Sequence, residues 1–299
     1  PGSIEGGIVP NISRHISTIQ FGQLYKSNQI WPSMALDKVK AELSNFILKG
    51  SFGENWKEFW APEMKQLITA DDLDLELLSE SIRDVFFSAH SGKGRSPEQA
   101  GLQWRRFLWC TLSLLTANTN EFVACGHPMI KKVLPDWMRD KLKISIGEGR
   151  ALTHEPDLVL VRMKQPYVNS ERWSDFDSES LQNHLSSNPE LVSELVVLWT
   201  KTNFNDLIQQ PMLWARISML HQTGSEPPVK HAWVTVPSQK PDKFRPGNAP
   251  FVRASTFDYG AFWGIGKREI FGMGSIFDII PDWKDRVVKL REFAPESML

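Results

Sequence analysis

Cysteine is scarce in this sequence, and so are the features that mark secreted, membrane-spanning or polybasic proteins. Its two cysteines, Cys110 and Cys125, form no CxxC pair and have no histidine at a zinc-site spacing, so a disulfide framework is excluded. The longest strongly apolar run, residues 107–117, is too short to span a bilayer, and no membrane partner is expected. The formal net charge of −1 argues against a histone-like polybasic binder.

The start of the sequence shows no secretory pattern, because no charged stretch leads into an apolar one. Together with the low cysteine content, this predicts an intracellular protein, cytoplasmic or nuclear. Residues 1–6 look like a tag remnant, so fold prediction starts at residue 7. A hydrophobic content of 41% with 23% charged residues is ordinary for a soluble globular protein, and most of the 12 tryptophans are expected in the core.

Helical spacing of apolar residues dominates residues 7–140. Asp71 and Asp72 are placed to cap the third of the predicted helices, and Ser96 followed by Pro97 predicts the start of the fourth. The predicted helices cover residues 35–48, 55–67, 73–89, 99–118 and 128–141. This region is therefore predicted to be helical, with no strand.

The pattern changes after Lys141, where short apolar runs bounded by glycine, proline and polar residues indicate strands. Residues 163–189 are polar and predict a long insertion or lid. Two further helices are predicted over residues 207–222 and 282–293, and strands over residues 143–146, 156–161, 195–198 and 231–236. The fold prediction is thus α+β, with a helical region over residues 7–140 packed on an α/β region over residues 141–299, or with both in one compact unit.

Two of the predicted strands have an ionisable residue near one end. Asp157 follows Pro156 where one strand begins, and Lys201 follows the apolar run of the next. This arrangement resembles the PD-(D/E)xK nuclease superfamily, whose αβββαβ core with a mixed sheet sets an aspartate, a second acid and a lysine around a divalent metal. Gln210, with Trp214 four residues later, looks like the Gln-xxx-Tyr element of the RecB-like branch. The resemblance implies catalytic positions at Asp157, Lys201 and Gln210.

The second acid of that family, two residues before the lysine, falls on Trp199. Tryptophan cannot bind a metal, and one carboxylate alone binds Mg²⁺ poorly. Catalysis would need Mg²⁺ or Mn²⁺ on Asp157 together with a displaced acid, Glu148 or Glu155. The first hypothesis is therefore a degenerate, non-catalytic nuclease fold that uses no cofactor, and the alternative is an active nuclease that uses one of these metals.

Basic residues concentrate after residue 149, interleaved with tryptophans, and predict contacts to DNA or RNA. The alternative is a solvated, mixed-charge surface, because Asp175, Asp177 and Glu179 lie close by. A protein partner could instead bind the helical half, as in host-manipulating effectors that carry degenerate nuclease folds. A helical, RNA-binding nucleoprotein-like assembly protein is the remaining alternative. The candidate nucleic-acid-binding residues are Arg150, Arg162, Lys164, Arg216 and Arg245.

Overall fold

The fold is given by a computed structural model. It describes residues 36–48, 74–90, 97–116, 119–148, 150–153, 155–164, 176–202, 215, 226–237, 257–268 and 273–293.

Helices surround a central sheet. Within the described ranges they are α1 Asp37–Ile47, α2 Leu75–His90, α3 Pro97–Leu115, α4 Gly126–Val133, α5 Asp136–Lys141, α6 Ser178–Ser187 and α7 Trp283–Phe293. No helix in these ranges has the length and apolar character needed to cross a lipid bilayer.

Most of the helix predictions that fall in the described ranges are confirmed, with two differences in detail. The helix predicted over residues 128–141 is two helices, α4 and α5, because Pro135 starts the second and cannot continue the first. α2 is capped by Asp74, whose Oδ1 accepts hydrogen bonds from the backbone N–H groups of Glu76 and Leu77. The predicted caps Asp71 and Asp72 lie outside the described residues, as does the predicted helix over residues 55–67.

The strands form one five-stranded mixed sheet and a separate hairpin. The strands are β1 Glu121–Cys125, β2 Lys143–Gly147, β3 Arg150–Thr153, β4 Leu158–Met163, β5 Val192–Lys201, β6 Val229–Thr235 and β7 Ala261–Trp263. The main sheet has the order β1-β4-β5-β6-β7. The pairs β1–β4 and β4–β5 are antiparallel, whereas β5–β6 and β6–β7 are parallel.

β1 was not predicted, and the expectation that residues 7–140 contain no strand is wrong. This strand is only five residues long and lies between the long helix α3 and the helix α4. Periodicity cannot identify so short an apolar run, because a buried strand and a buried helix segment look alike over five residues. Its pairing with β4 makes the helical and α/β regions share one sheet.

The predicted strand over residues 143–146 does form, but it does not join the main sheet. It is β2, which pairs with β3 in a two-stranded antiparallel hairpin. The edge position beside β4 is occupied by β1 instead. The polar segment predicted as an insertion contains α6, which starts after Asp177, whose carboxylate accepts from the backbone N–H of Ser180.

The core lies on both faces of the sheet. β4 and β5 are buried along most of their length, which explains why their sequences are almost continuously apolar. Five of the seven tryptophans in the described residues are buried, as predicted for the group. They are Trp104, Trp109, Trp199, Trp233 and Trp263.

Candidate functional site

The candidate site lies at the end of the sheet where β4 begins and where β1 and β5 end. Leu158 pairs with Cys125 on one side and with Leu198 on the other, so Asp157 stands one residue outside both ladders. The strand that follows Asp157 therefore lies beside the strand that ends at Lys201, as the sequence predicts.

Asp157 is hydrogen-bonded to both neighbouring strands. The backbone N–H of Thr200 donates to its Oδ2 (2.8 Å), which extends the β4–β5 ladder by one side-chain contact. Its own carbonyl oxygen accepts from the backbone N–H of Gly126 (2.9 Å). These contacts fix the position of the carboxylate relative to the ends of β1 and β5.

The second carboxylate oxygen, Oδ1, forms an ion pair with Nη2 of Arg105, a residue in the middle of α3. The side chain of Asp157 is 13% exposed and that of Arg105 is 31% exposed. Both oxygens of Asp157 therefore have partners within the protein, one of them a full positive charge. The charge that would attract a divalent cation is already balanced.

Gly126 supports this ion pair where β1 ends and α4 begins. Its backbone is left-handed, with φ of 67°, and a Cβ there would lie 3.4 Å from Nη1 of Arg105. Only glycine adopts this conformation without strain. The guanidinium therefore packs closely against main chain.

Cys125 is buried in the same corner, beside Arg105 and Asp157. Burial raises the pKa of its thiol to about 12, and the nearby Asp157 charge acts in the same direction. The thiol is protonated at neutral pH, so it is not a nucleophile.

Trp199 occupies the position two residues before Lys201, where the nuclease resemblance implies an acid. It is 1% exposed, its Nε1–H donates to Nδ1 of His231 (3.3 Å), and the two rings are nearly parallel. Burial lowers the pKa of His231 to about 4, so the imidazole is neutral at pH 7 and Nδ1 is free to accept. This position belongs to the core of the protein.

Lys201 ends β5 at the rim of the sheet and is half-buried. Its carbonyl oxygen accepts from the backbone N–H of Val236 (3.0 Å), which fixes its main chain beside the end of β6. Because side chains alternate along a strand, Lys201 and Trp199 lie on the same face. Within the described part of the chain, no carboxylate forms an ion pair with Lys201.

The acids considered as replacements for Trp199 lie in other arrangements. Glu148 is in the turn of the β2–β3 hairpin and pairs with Arg150, both exposed. Glu155 is exposed and pairs with Nδ1 of His127 at 3.1 Å. Among the described residues, no group of three or more His, Cys, Asp or Glu side chains is placed to hold a metal ion. The Asp157 carboxylate, in addition, is already ion-paired with Arg105.

Arg162, predicted to bind nucleic acid, is instead held in a network of ion pairs near the other end of β4. Its guanidinium contacts Glu121 (3.2 Å), Glu194 (2.5 Å) and the hydroxyl of Tyr259 (3.0 Å), and donates to the carbonyl of Ile279. Its side chain is 16% exposed. These contacts join β1, β4 and β5 to the last part of the chain, and they leave Arg162 unsuited to bind a phosphate.

The other predicted nucleic-acid-binding residues fall into two groups. Arg150 lies on the exposed hairpin, and Lys164 is exposed just after β4, at the end away from Asp157. Arg216 and Arg245 lie outside the described residues, as does Gln210, which was predicted to be catalytic.

Sequence reasoning missed Arg105 and Gly126. Arg105 and Arg106 are adjacent cations in the middle of a helix predicted to be largely buried. Because a buried cation needs a carboxylate or other acceptor nearby, this pair was the available signal for a partner such as Asp157.

Comparisons with known proteins do not assign a family. No family model matches the chain, and no curated protein matches it. Among solved structures, the crystal structure of the Type IIF restriction endonuclease Bse634I with cognate DNA is 11% identical. The match covers 74% of this chain and 85% of that chain, with a TM-score of 0.26. At this TM-score the likeness does not establish a shared fold, so the function is inferred from the chain's own geometry.

Proposed function

We propose that this chain is a non-catalytic nucleic-acid-binding module built on a nuclease-like core. The strand order supports the core. The helix α3, the antiparallel strands β1, β4 and β5, and the parallel strand β6 are compatible with an αβββαβ unit in which α4, α5 and the β2–β3 hairpin are inserted between β1 and β4. Asp157 directly precedes β4, and Lys201 ends β5. Of the connection between β5 and β6, Ala215 is described and is helical and buried.

The ion pair between Asp157 and Arg105 is the main observation that supports a non-catalytic role. Metal-dependent hydrolysis of a phosphodiester needs carboxylate oxygens that can bind the metal and stabilise the charge of the transition state. Here one oxygen of Asp157 holds a guanidinium, the other accepts a backbone N–H, and Trp199 supplies no oxygen. We infer that no divalent cation binds at this edge strongly enough to support cleavage.

The balance of charges at the site supports a nucleic acid as the ligand. Two cations, Arg105 and Lys201, accompany one carboxylate where β4 begins and β5 ends. Contacts of this kind to phosphates give an affinity that depends strongly on salt and little on sequence.

Nuclease assays test the absence of catalysis. The full chain is incubated with single- and double-stranded DNA and RNA in Mg²⁺ and in Mn²⁺, beside an Asp157→Ala variant prepared identically. We expect no cleavage above background from either protein. Cleavage by the original protein that disappears in Asp157→Ala would overturn the proposal, and cleavage that survives the substitution identifies a contaminating nuclease.

A binding titration tests the ligand. Fluorescence anisotropy with labelled single-stranded RNA and DNA, repeated between 50 and 200 mM salt, should show the affinity falling steeply as salt rises, since each phosphate contact releases counterions. A flat response, or no binding at 50 mM salt, would rule out a nucleic-acid-binding role.

A further inference from the structure

Asp157 engages only part of the Arg105 guanidinium. Arg105 offers five N–H donors in one plane, and a single guanidinium nitrogen, Nη2, faces Asp157. Its Nε is buried and has no hydrogen-bond partner among the described residues. The side chain as a whole is 31% exposed, so a ligand can approach the accessible part of the guanidinium but not the buried Nε.

Lys201 is a second cation at this end of the sheet, where β5 ends. It directly follows Thr200, whose backbone N–H binds the Asp157 carboxylate. Successive Cα atoms are about 3.8 Å apart, so the long lysine side chain starts within one residue of that contact. Arg105, Lys201 and Asp157 together carry one net positive charge, which repels a divalent cation and attracts an anion.

The site is also fixed before any ligand arrives. Asp157 is held by Thr200 and Gly126, and it holds Arg105 in turn. A planar, immobilised guanidinium suits the oxygens of a phosphate, because two parallel N–H donors can bind them at once. Little side-chain entropy is then lost when the ligand binds.

We propose that Arg105 and Lys201 form a binding site for a phosphate group that requires no divalent cation, with Asp157 as the positioning residue that orients Arg105. The proposal rests on the proposed function for its natural source of phosphate, a nucleic-acid backbone.

The first test measures affinity for a labelled single-stranded RNA and DNA of twelve nucleotides, in EDTA and in Mg²⁺. We expect the same dissociation constant in both. Arg105→Gln and Lys201→Gln should each weaken binding about ten-fold and lower the salt slope by about one. Lys284→Gln, a matched loss of one exposed lysine on α7, should change affinity less than two-fold. Equal effects of all three substitutions would overturn the proposal.

Asp157→Asn separates this site from a metal site by the size of its effect. Asparagine keeps a carbonyl oxygen for the N–H of Thr200 but removes the negative charge that competes for Arg105. The loss of a charge that repels phosphate and the weaker orientation of Arg105 act in opposite directions, so we expect the dissociation constant in EDTA to change by no more than a few-fold. Binding that needs Mn²⁺, or that disappears in Asp157→Asn while circular dichroism shows a folded protein, would contradict the proposal.

Pyrophosphate distinguishes failure of the site from failure of the function. The melting temperature is compared in sodium pyrophosphate and in sodium chloride of equal ionic strength, for the original protein and for Lys201→Gln. Stabilisation by pyrophosphate that is lost in Lys201→Gln supports the site, even if no nucleic acid binds and the proposed function fails. Nucleic-acid binding that is equally strong in Lys201→Gln and Arg105→Gln leaves the function standing and overturns the site.

Discussion

The indole N–H of Trp199 donates to Nδ1 of His231 across the parallel pair β5–β6, with 3.3 Å between the two nitrogens. Both side chains are almost completely buried, and Nδ1 can accept only while the imidazole is neutral. A position that the nuclease resemblance assigns to a metal-binding acid therefore holds half of a buried hydrogen-bonded pair.

The first prediction concerns acid stability. Burial lowers the pKa of His231 from 6.5 to about 4, so below pH 6.5 the unfolded chain binds a proton that the folded protein does not. The stability due to this residue is complete above pH 6.5 and falls as the pH drops towards 4, by roughly 3 kcal/mol. Urea unfolding at pH 7 and pH 4.5 measures it.

Two variants serve as controls for that measurement. His231→Asn keeps an acceptor near the position of Nδ1 but does not titrate, so its loss of stability between the two pH values should be smaller. His127→Asn removes an exposed histidine and should leave the loss unchanged. Identical pH dependence in His231→Asn and the original protein would show that His231 is not the residue responsible.

The second prediction tests Trp199 as a core residue. Trp199→Phe removes the donor to His231 and leaves a gap beside β6, and it should lower the free energy of unfolding by about 1–3 kcal/mol. Trp137→Phe is the matched change, because Trp137 donates to the carbonyl of Leu185 but is only partly buried. We expect the smaller loss at Trp137 in denaturant titrations, and the reverse order would argue against a tightly packed site at Trp199.

The third prediction separates a structural role of Arg162 from ligand binding. Arg162→Met leaves Glu121 and Glu194 short of a positive charge in a mostly buried place, and it should cost about 2–4 kcal/mol of stability. Arg150→Met removes an exposed arginine whose ion pair with Glu148 is also exposed, and it should change stability by no more than about 0.5 kcal/mol. Unfolding curves give both values. If Arg162→Met weakens nucleic-acid binding without lowering stability, Arg162 belongs to the ligand-binding surface after all.

The fourth prediction compares two glycines, Gly126 beside Arg105 and Gly101 within α3. Gly126→Ala forces a left-handed backbone on alanine next to Arg105 and should destabilise the protein by about 1–2 kcal/mol. Gly101→Ala lies within α3, where a Cβ meets nothing within 4 Å, and should stabilise by about 0.5–1 kcal/mol because alanine favours the helix. Thermal melts should therefore shift in opposite directions, and a shift of the same sign at both positions would contradict the described geometry.

The central strands could be predicted because each is a long apolar run with a clear boundary. Pro156 marks the start of β4, and the polar residues after Lys201 mark the end of β5. Their pairing was expected only from the family resemblance, because apolar runs alone do not determine which strands are neighbours.

Two parts of the site could not be read from sequence, because each depends on contacts between distant residues. β1 has no periodicity of its own, and only its pairing with β4 identifies it as a strand. Arg105 is separated from Asp157 by 52 positions, and no local pattern indicates that the two meet. Trp199 could be placed two residues before Lys201, but not beside His231, which joins it only through the parallel pairing of β5 and β6.

The charged cluster around Arg162 also limits how far the chain can be shortened from its C-terminal side. Arg286, on the last helix, shares Glu121 with Arg162 and donates to the carbonyl of Leu115 at the end of α3. A shortened version that stops before this helix would expose the carboxylate of Glu121 and the end of α3 at once. Truncations made for crystallisation should therefore retain the chain through Phe293.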